Sequence, residues 1–268
     1  MPEGHTIHRI ARDHAKLLLG QPISVSSPQG RFGADAERID GATLDELRPW
    51  GKHLFYEWST GDVGHVHLGL FGKFRVYRAA GSSGPPPPRG AVRMRLRSDT
   101  GTVDLNGPTA CELLTPPERD AILDRLGPDP IHRGAKPDAM YARIERSSRT
   151  IGELLMDQSV VAGIGNAFRA EILFVTGIHP WRPGRNLDVA ELEAIWTTAQ
   201  GMLRAGVSSG RILTVSREES GVPPGRRIPR AEATYVYQRA TCLRCGSEIS
   251  RAAMANRTVH WCSTCQPT

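Results

Sequence analysis

From residue 6 to 19 the apolar positions Ile7, Ile10, Ala11, Leu17 and Leu18 recur at helical spacing, and Gly20 supplies a stop. The pattern then breaks into short runs. Residues 23–25, 53–58, 64–68, 74–77, 92–96 and 102–105 read as strands separated by turns. Alternation is clearest in 92–96, with Val92, Met94 and Leu96 inward and Arg93 and Arg95 outward. The run Pro85 to Pro88, flanked by Gly and Ser, reads as a low-complexity loop between two strands. Such a stretch predicts a sandwich or barrel-like pair of sheets. Leu126-Gly-Pro-Asp-Pro130 reads as a connector between domains, and beyond it the period changes. Residues 138–145, 150–158, 166–176 and 188–204 read as helices, the last opening on Asp188 with Glu191 in the manner of a capping box. Residues 207–232, rich in Gly, Pro, Ser and Arg, read as a mobile loop, and no internal repeat is evident.

The chain of 268 residues is long enough for two compact domains, or one with an appendage, and 39% hydrophobic content suits a soluble globular protein. No run reaches the apolar length needed to span a membrane. Charged and polar residues interrupt the stretch from Glu3 to Lys16, so no signal-peptide pattern is present there. A net charge of +6 favours a polyanionic partner without separating DNA from RNA or anionic lipid. Lysines are confined to Lys16, Lys52, Lys73 and Lys136. Where Arg serves almost everywhere else, a retained Lys hints at a need for a compact or deprotonatable ammonium.

Five cysteines, four of them near the C-terminus, point to a metal site in a reducing compartment rather than to disulfides; Cys111 reads as a buried thiol. The pairs Cys242-Leu-Arg-Cys245 and Cys262-Ser-Thr-Cys265 suit tetrahedral thiolate coordination of a structural zinc, with iron as the alternative. Between them residues 249–261 are long enough for a β-hairpin with Asn256-Arg257-Thr258 at or near its turn. Arg257 there is placed to touch phosphates, or is simply solvated. A second motif, Gln158-Ser-Val-Val-Ala-Gly-Ile-Gly-Asn166, precedes a helix. Its glycines let backbone approach a ligand and Asn166 opens the helix, an arrangement that can hold a phosphate or serve plain packing.

At the other end stands Met1-Pro2-Glu3-Gly4. Once Met1 is removed, Pro2 presents a secondary amine able to form a covalent iminium, with Glu3 beside it to give or take a proton. The helix that follows would disfavour a protonated amine at Pro2, and would also hold Glu3 ionised unless burial raises its pKa. Taken alone, these residues read as no more than a small residue after an initiator.

Together, Met1-Pro2-Glu3-Gly4, Gly163-Ile-Gly-Asn166 and the four-cysteine hairpin resemble, over the whole chain, the formamidopyrimidine/endonuclease VIII family of DNA glycosylases. Leu126-Gly-Pro-Asp-Pro130 and Tyr235-Val-Tyr-Gln-Arg239 look like the family's pattern too. The resemblance implies an α+β chain in which residues 1–130 form a catalytic β-sandwich with a flanking helix. Residues 131–232 would form a helix–two-turn–helix DNA-binding domain and residues 233–268 a zinc hairpin. It implies a monomer of the bacterial cytoplasm that holds damaged DNA between its domains, with no membrane partner. Its reaction would be base excision followed by β,δ-elimination, with one structural zinc and no metal in the chemistry. Pro2 is similar to the nucleophile, Glu3 to the acid, and Lys52 to a hairpin-loop Lys that contacts DNA and assists proton transfer. Arg257 matches a phosphate clamp with a supporting role in elimination, and Asn166 a phosphate contact. Gly69-Leu-Phe-Gly72 fits the wedge that fills the vacated stack, with Leu70 and Phe71 inserting or, as the alternative, lying in the core. Arg125 is either a further phosphate contact or a surface Arg. The formamidopyrimidine branch carries an Arg-Arg-Phe-Gly wedge where this chain has residues 103–110 without Arg or Phe. The resemblance therefore leans to the endonuclease VIII branch and oxidised pyrimidines. His5, where that branch often has Pro, departs from the pattern. An oxidised-purine glycosylase and a non-catalytic damage-binding zinc protein are the rival readings.

Overall fold

Gly4–Leu18 form the first helix, α1, with Glu3 extended at its N-cap. Ile7, Ala11, Leu17 and Leu18 are buried, so the apolar stripe faces a core. The structure, a computed structural model, describes residues 2–79 and 85–268. Met1 and residues 80–84, ahead of the proline run, lie outside them. The chain divides into two units, Met1–Glu3 with Ile7–Arg125, and Gly4–Thr6 with Leu126–Thr268.

In the first unit α1 is followed by β1 (Ser24–Ser26), α2 (Gly33–Ile39), β2 (Leu44–Trp50), β3 (His53–Trp58) and β4 (Val63–His67). Then come β5 (Lys73–Arg78), β6 (Val92–Arg97), β7 (Gly101–Asn106), β8 (Ala110–Leu114) and α3 (Pro116–Leu123). The strands make two antiparallel four-stranded sheets, ordered β1-β6-β7-β5 and β2-β3-β4-β8. Leu54, Tyr56 and Val66 from one sheet share a core with Met94, Leu96 and Leu105 from the other and with Ile7 and Leu18 of α1, which makes the unit a sandwich.

Two strands escape the sequence pattern, β2 and β8. Both are edge strands, where one side of the ladder is unpaired, so β2 tolerates Pro49 and a mostly polar surface. Two short helices, α2 and α3, escape it as well. No residue of α3 is buried; a capping box between Thr115 and Glu118 starts it, and Arg119 ties it to Glu57 of β3 at 2.9 Å. Val92, Met94 and Leu96 do face the core. Arg95 on the opposite face is not solvated, however. It forms a two-pronged pair with buried Asp104 at 2.6 and 2.8 Å and donates to Pro86 O, which ties the proline run to the sheet. Cys111 is half-buried against the core, and burial pushes its thiol up to about 12.

The second unit holds α4 (Asp138–Glu145), α5 (Ile151–Leu154), α6 (Asn166–Val175), α7 (Val189–Ser209) and α8 (Arg217–Ser220). A hairpin of β9 (Ser250–Met254) and β10 (Arg257–Trp261) follows. The helix expected over 150–158 is only the short α5, because Asp157 turns the chain by accepting from the backbone and hydroxyl of Ser159. α7 is longer than expected, running to Ser209 and ending on left-handed Gly210. The loop expected over 207–232 therefore begins inside a helix and contains another, α8, capped by Ser216. Residues 126–130 are built into this unit rather than strung between units. Gly127 N donates to Gln158 O, Ala162 N donates to Pro128 O, and Asp129 is fully buried. No helix among the described residues is long and apolar enough to cross a membrane.

Candidate active site and nucleic-acid interface

The start of α1 is seated on the Gly-rich turn before α6. Gly4 N donates to Gly163 O at 2.8 Å, and a Cβ on Gly4 would meet Gly163 Cα at 2.8 Å. Gly163 itself has φ +92°, a conformation that only glycine adopts freely. Gln158 frames the turn, accepting from Gly163 N and donating to Ile164 O, both at 3.0 Å. His5 meets Phe168 edge-on at 5.1 Å, and a Cβ on Gly206 of α7 would lie 2.9 Å from its ring. Burial lowers His5 to about 4, so its ring is neutral and acts as packing. Upstream of this anchor Pro2 is half-buried and Glu3 is 1% exposed.

Lys52 occupies the two-residue turn between β2 and β3, beside Gly51 at φ +55° and between the paired residues Trp50 and His53. The turn that leads from β4 into β5 of the other sheet projects two apolar side chains. Gly72 N donates to Leu68 O at 2.9 Å, and a Cβ on Gly72 would lie 2.3 Å from that oxygen. Gly69 has φ +63° and packs on Thr109. Between these glycines Leu70 is 44% and Phe71 85% exposed, so neither is a core side chain. The strands β7 and β8 join through Gly107–Thr109 alone, a connection too short to present further wedge residues. Arg125 is exposed just beyond α3, where its Nε donates to Ala121 O.

In the second unit Asn166 begins α6 and is nearly buried. Its Nδ2 donates to Thr258 O at 3.0 Å, and its Oδ1 accepts from the guanidinium of Arg169. Arg169 is fully buried and also donates to Gly152 O, so one amide joins α6 to β10. Arg257 opens β10 after a tight turn in which Ala255 and Asn256 both take positive φ. Asn166 and Arg257 line a cavity of about 460 Å³ together with Tyr237, Arg251 and His260. Two guanidiniums around one hollow suit an anion. Lys52, Leu70, Phe71 and Arg125 lie in the first unit and are not among its lining residues.

Two residues of this frame were not read from the sequence, Arg169 and Glu171. Glu171 is fully buried and accepts from the backbone N of Tyr235, Val236 and Tyr237 and from the Thr214 hydroxyl. Burial pushes its carboxyl up, and those donors pull against it. It thereby holds the segment leading into the cysteine hairpin. The signal was available: Asn166-Ala-Phe-Arg-Ala-Glu-Ile-Leu-Phe-Val has two charges on a helix with no polar face to carry them.

The sulfurs of Cys242, Cys245, Cys262 and Cys265 all lie within 4.8 Å of one another, with Cys242–Cys265 at 3.9 Å and Cys245–Cys262 at 3.5 Å. A tetrahedral ion with bonds of about 2.3 Å sets sulfurs about 3.8 Å apart, so the four residues fit zinc and fill its coordination. Gln266 accepts from Cys262 N and donates to Ile178 O, and Arg244 stacks over Phe174 and Tyr235, fastening the knuckles to α6.

A β-sandwich, a helical unit with a Gly-rich turn and a four-thiolate hairpin define a class of zinc-finger DNA glycosylases, and the comparisons agree part by part. Residues 1–108 match the formamidopyrimidine-DNA glycosylase N-terminal domain, 126–217 the formamidopyrimidine-DNA glycosylase H2TH domain, and 241–268 the zinc finger found in FPG and IleRS. Endonuclease 8 1 of Mycobacterium tuberculosis (strain ATCC 25618 / H37Rv) is 44% identical over 99% of this chain and 100% of its own length. Probable endonuclease 8 2 of Streptomyces coelicolor is 30% identical over 99% of this chain and 94% of its own. Lactococcus lactis Fpg in complex with abasic-site DNA has the same fold, with a TM-score of 0.80 at 21% identity over 99% of this chain and 100% of that one. The chain belongs to the formamidopyrimidine-DNA glycosylase/endonuclease VIII family, on its endonuclease VIII-like side. It is a DNA glycosylase and AP lyase of base-excision repair, and its four cysteines hold one structural zinc.

Proposed function

We propose that the chain excises oxidised bases, pyrimidines favoured, through a Schiff base on Pro2, and then cleaves the abasic site by β,δ-elimination. After removal of Met1 the Pro2 amine attacks C1′ as the base departs, while Glu3 protonates the sugar. Glu3 is 1% exposed and one residue from the amine, which supports this role. The iminium then acidifies the C2′ proton, and Lys52 assists its transfer.

The observation that carries the reading is the seating of Gly4 on Gly163, which holds the chain two residues from the reacting amine. Asn166 and Arg257 take phosphates beside the lesion, supported by their shared cavity with Arg251. Arg125 contributes a further phosphate contact. The preference for pyrimidines is supported by the short β7–β8 connection, which leaves Leu70 and Phe71, framed by Gly69, as the wedge. Every group invoked stands on one chain, as a monomer acting on damaged DNA requires, and the thiolate site suits a reducing cytoplasm.

Borohydride reduction with an abasic oligonucleotide should trap a covalent adduct that peptide mapping places on Pro2. A panel of damaged duplexes should give faster excision of oxidised pyrimidines than purines. Blocking the amine, by retained Met1 or an added tag, should abolish trapping and spare DNA binding. Glu3→Gln should stop base excision while leaving some cleavage of a preformed abasic site. A blocked protein that still excised and cleaved at the native rate would defeat the mechanism.

A further inference from the structure

Two cations of the second unit lack the acid that others there have. Arg149, Arg182 and Arg244 pair with Asp157, Glu191 and Glu219. Arg251 and Arg257 pair with no carboxylate among the described residues. The first donates to Arg239 O at 2.8 Å and the second to Asn256 O at 3.2 Å, both backbone groups. Both line the cavity of about 460 Å³ at the start of α6, and none of its lining residues is an acid. That volume equals about fifteen waters at about 30 Å³ each, more than one phosphate group fills.

The hairpin keeps the two guanidiniums at different ends of the hollow. Arg251 stands opposite His260 in the ladder, and His260 is three residues beyond Arg257 on β10. At about 3.3 Å per residue the two arginines are rooted about 10 Å apart along the hairpin. The bond to Arg239 O holds Arg251 at its own end, so the cavity has two cationic positions rather than one.

Gln238 belongs to the second of these positions. Arg239 N donates to Val236 O at 3.2 Å and closes a β-turn over 236–239, in which Gln238 takes φ +57°. Glycine or asparagine is the usual residue at such a position, because a larger side chain is crowded against the following carbonyl. Gln238 is exposed, so burial in a core does not explain the strained choice, and its side chain lines the cavity. Strain kept at a cation-lined hollow, where glycine would be free of it, points to a task for the side chain. An amide offers two N–H donors to phosphate oxygens.

We propose that Arg251 and Gln238 form a second phosphodiester subsite, holding the phosphate next along the strand from the one taken by Asn166 and Arg257. Arg251 supplies the charge, and Gln238 an amide donor fixed by the turn. Neither reads a base, so the subsite adds affinity and sets the register of the strand whatever the lesion. This rests on the phosphate role proposed for Asn166 and Arg257.

The test is equilibrium binding of the zinc-loaded full chain to a duplex carrying a stable abasic-site analogue. Single phosphates of the damaged strand are replaced in turn by uncharged methylphosphonates. In the native protein, replacement at either of two adjacent linkages should weaken binding. Arg251→Ala should weaken the unsubstituted duplex by about three- to tenfold and reduce the salt slope by about one unit. It should also lose the response at one of the two linkages and keep the other, while Arg257→Ala does the reverse. Gln238→Gly relieves the turn, so its melting temperature should hold while its affinity falls severalfold. An unaltered slope and linkage profile in Arg251→Ala, or native affinity in Gln238→Gly, would overturn the subsite. So would loss of one and the same linkage in both arginine variants, since a single phosphate would then serve both cations. Failure of the underlying reading is seen separately, as Arg257→Ala leaving affinity and salt slope unchanged.

Discussion

Replacing Gly4 by Ala isolates the contact on which the proposed chemistry depends. The added Cβ would sit 2.8 Å from Gly163 Cα, 3.1 Å from Gly163 O and 3.3 Å from Gly163 C. All three are backbone atoms, so no side chain can swing aside. Restoring an ordinary carbon–carbon separation of about 3.5 Å requires the two segments to part by about 0.7 Å. That movement would lengthen the 2.8 Å bond from Gly4 N to Gly163 O beyond useful range. Overpacking costs about 1–3 kcal/mol and the hydrogen bond about 1 kcal/mol, together about 2–4 kcal/mol against the seated state. At about 1.4 kcal/mol per tenfold, the seated population falls at least thirtyfold, roughly. Ala is also the better helix former by about 1 kcal/mol at a helical position, which offsets part of the loss in overall stability. Thermal denaturation should therefore move down by a few degrees per kcal/mol of the remaining loss, while the rate of borohydride trapping on Pro2 drops by about thirtyfold or more. Trapping at the native rate in Gly4→Ala would show that seating does not govern the amine.

Other consequences are open to direct measurement. Cys245→Ser should lose the single zinc equivalent and loosen the hairpin and DNA binding, leaving the β-sandwich folded; a variant still holding stoichiometric zinc would contradict the four-thiolate site. Arg257→Ala should weaken damaged and undamaged duplexes alike and flatten the salt dependence by about one unit of slope; a loss confined to one lesion would make Arg257 a reader of bases. Leu70→Ala should impair unstacking and excision more than binding, as read by a fluorescent base analogue opposite the lesion, and unchanged unstacking would remove Leu70 from the wedge. Stability should fall on acidification. His14, buried and bonded to Tyr56, is lowered by burial to about 3, and His5 to about 4, whereas both titrate near 6.5 when unfolded. Below about pH 6.5 the unfolded chain binds the extra protons, so each buried imidazole removes about 1.4 kcal/mol per pH unit until its folded value is reached. A denaturant midpoint independent of pH between about pH 7 and about pH 5 would refute neutral burial.

Features written in local spacing were legible before any coordinates. The CxxC pairs announced a metal because two knuckles place their thiolates by short-range geometry alone, and the stripe of α1 announced a buried helix face. The motif Gly163-Ile-Gly-Asn166 was visible as a turn able to approach a ligand. What approaches it, the backbone of Gly4, was not, because the two lie far apart in sequence and meet through packing. Likewise β2 and β8 were hidden: an edge strand lacks a neighbour on one side, so its composition is relaxed and its periodicity weak.

Composition, periodicity and motif spacing thus determined the α+β class and the zinc ligands, since each depends on residues close together in the chain, while Pro2 became a candidate nucleophile only through the resemblance of the whole chain. Tertiary structure alone decided that Phe71 projects rather than packs, through the backbone demands of Gly69 and Gly72 and the partner turn at Thr109. It alone decided that Asn166 is oriented by Arg169, and that His65 meets a carboxylate 47 positions away. Strand register sets which side chains share a face, and burial sets whether they carry charge. Neither quantity is encoded at any single position; both follow from which segments pack together.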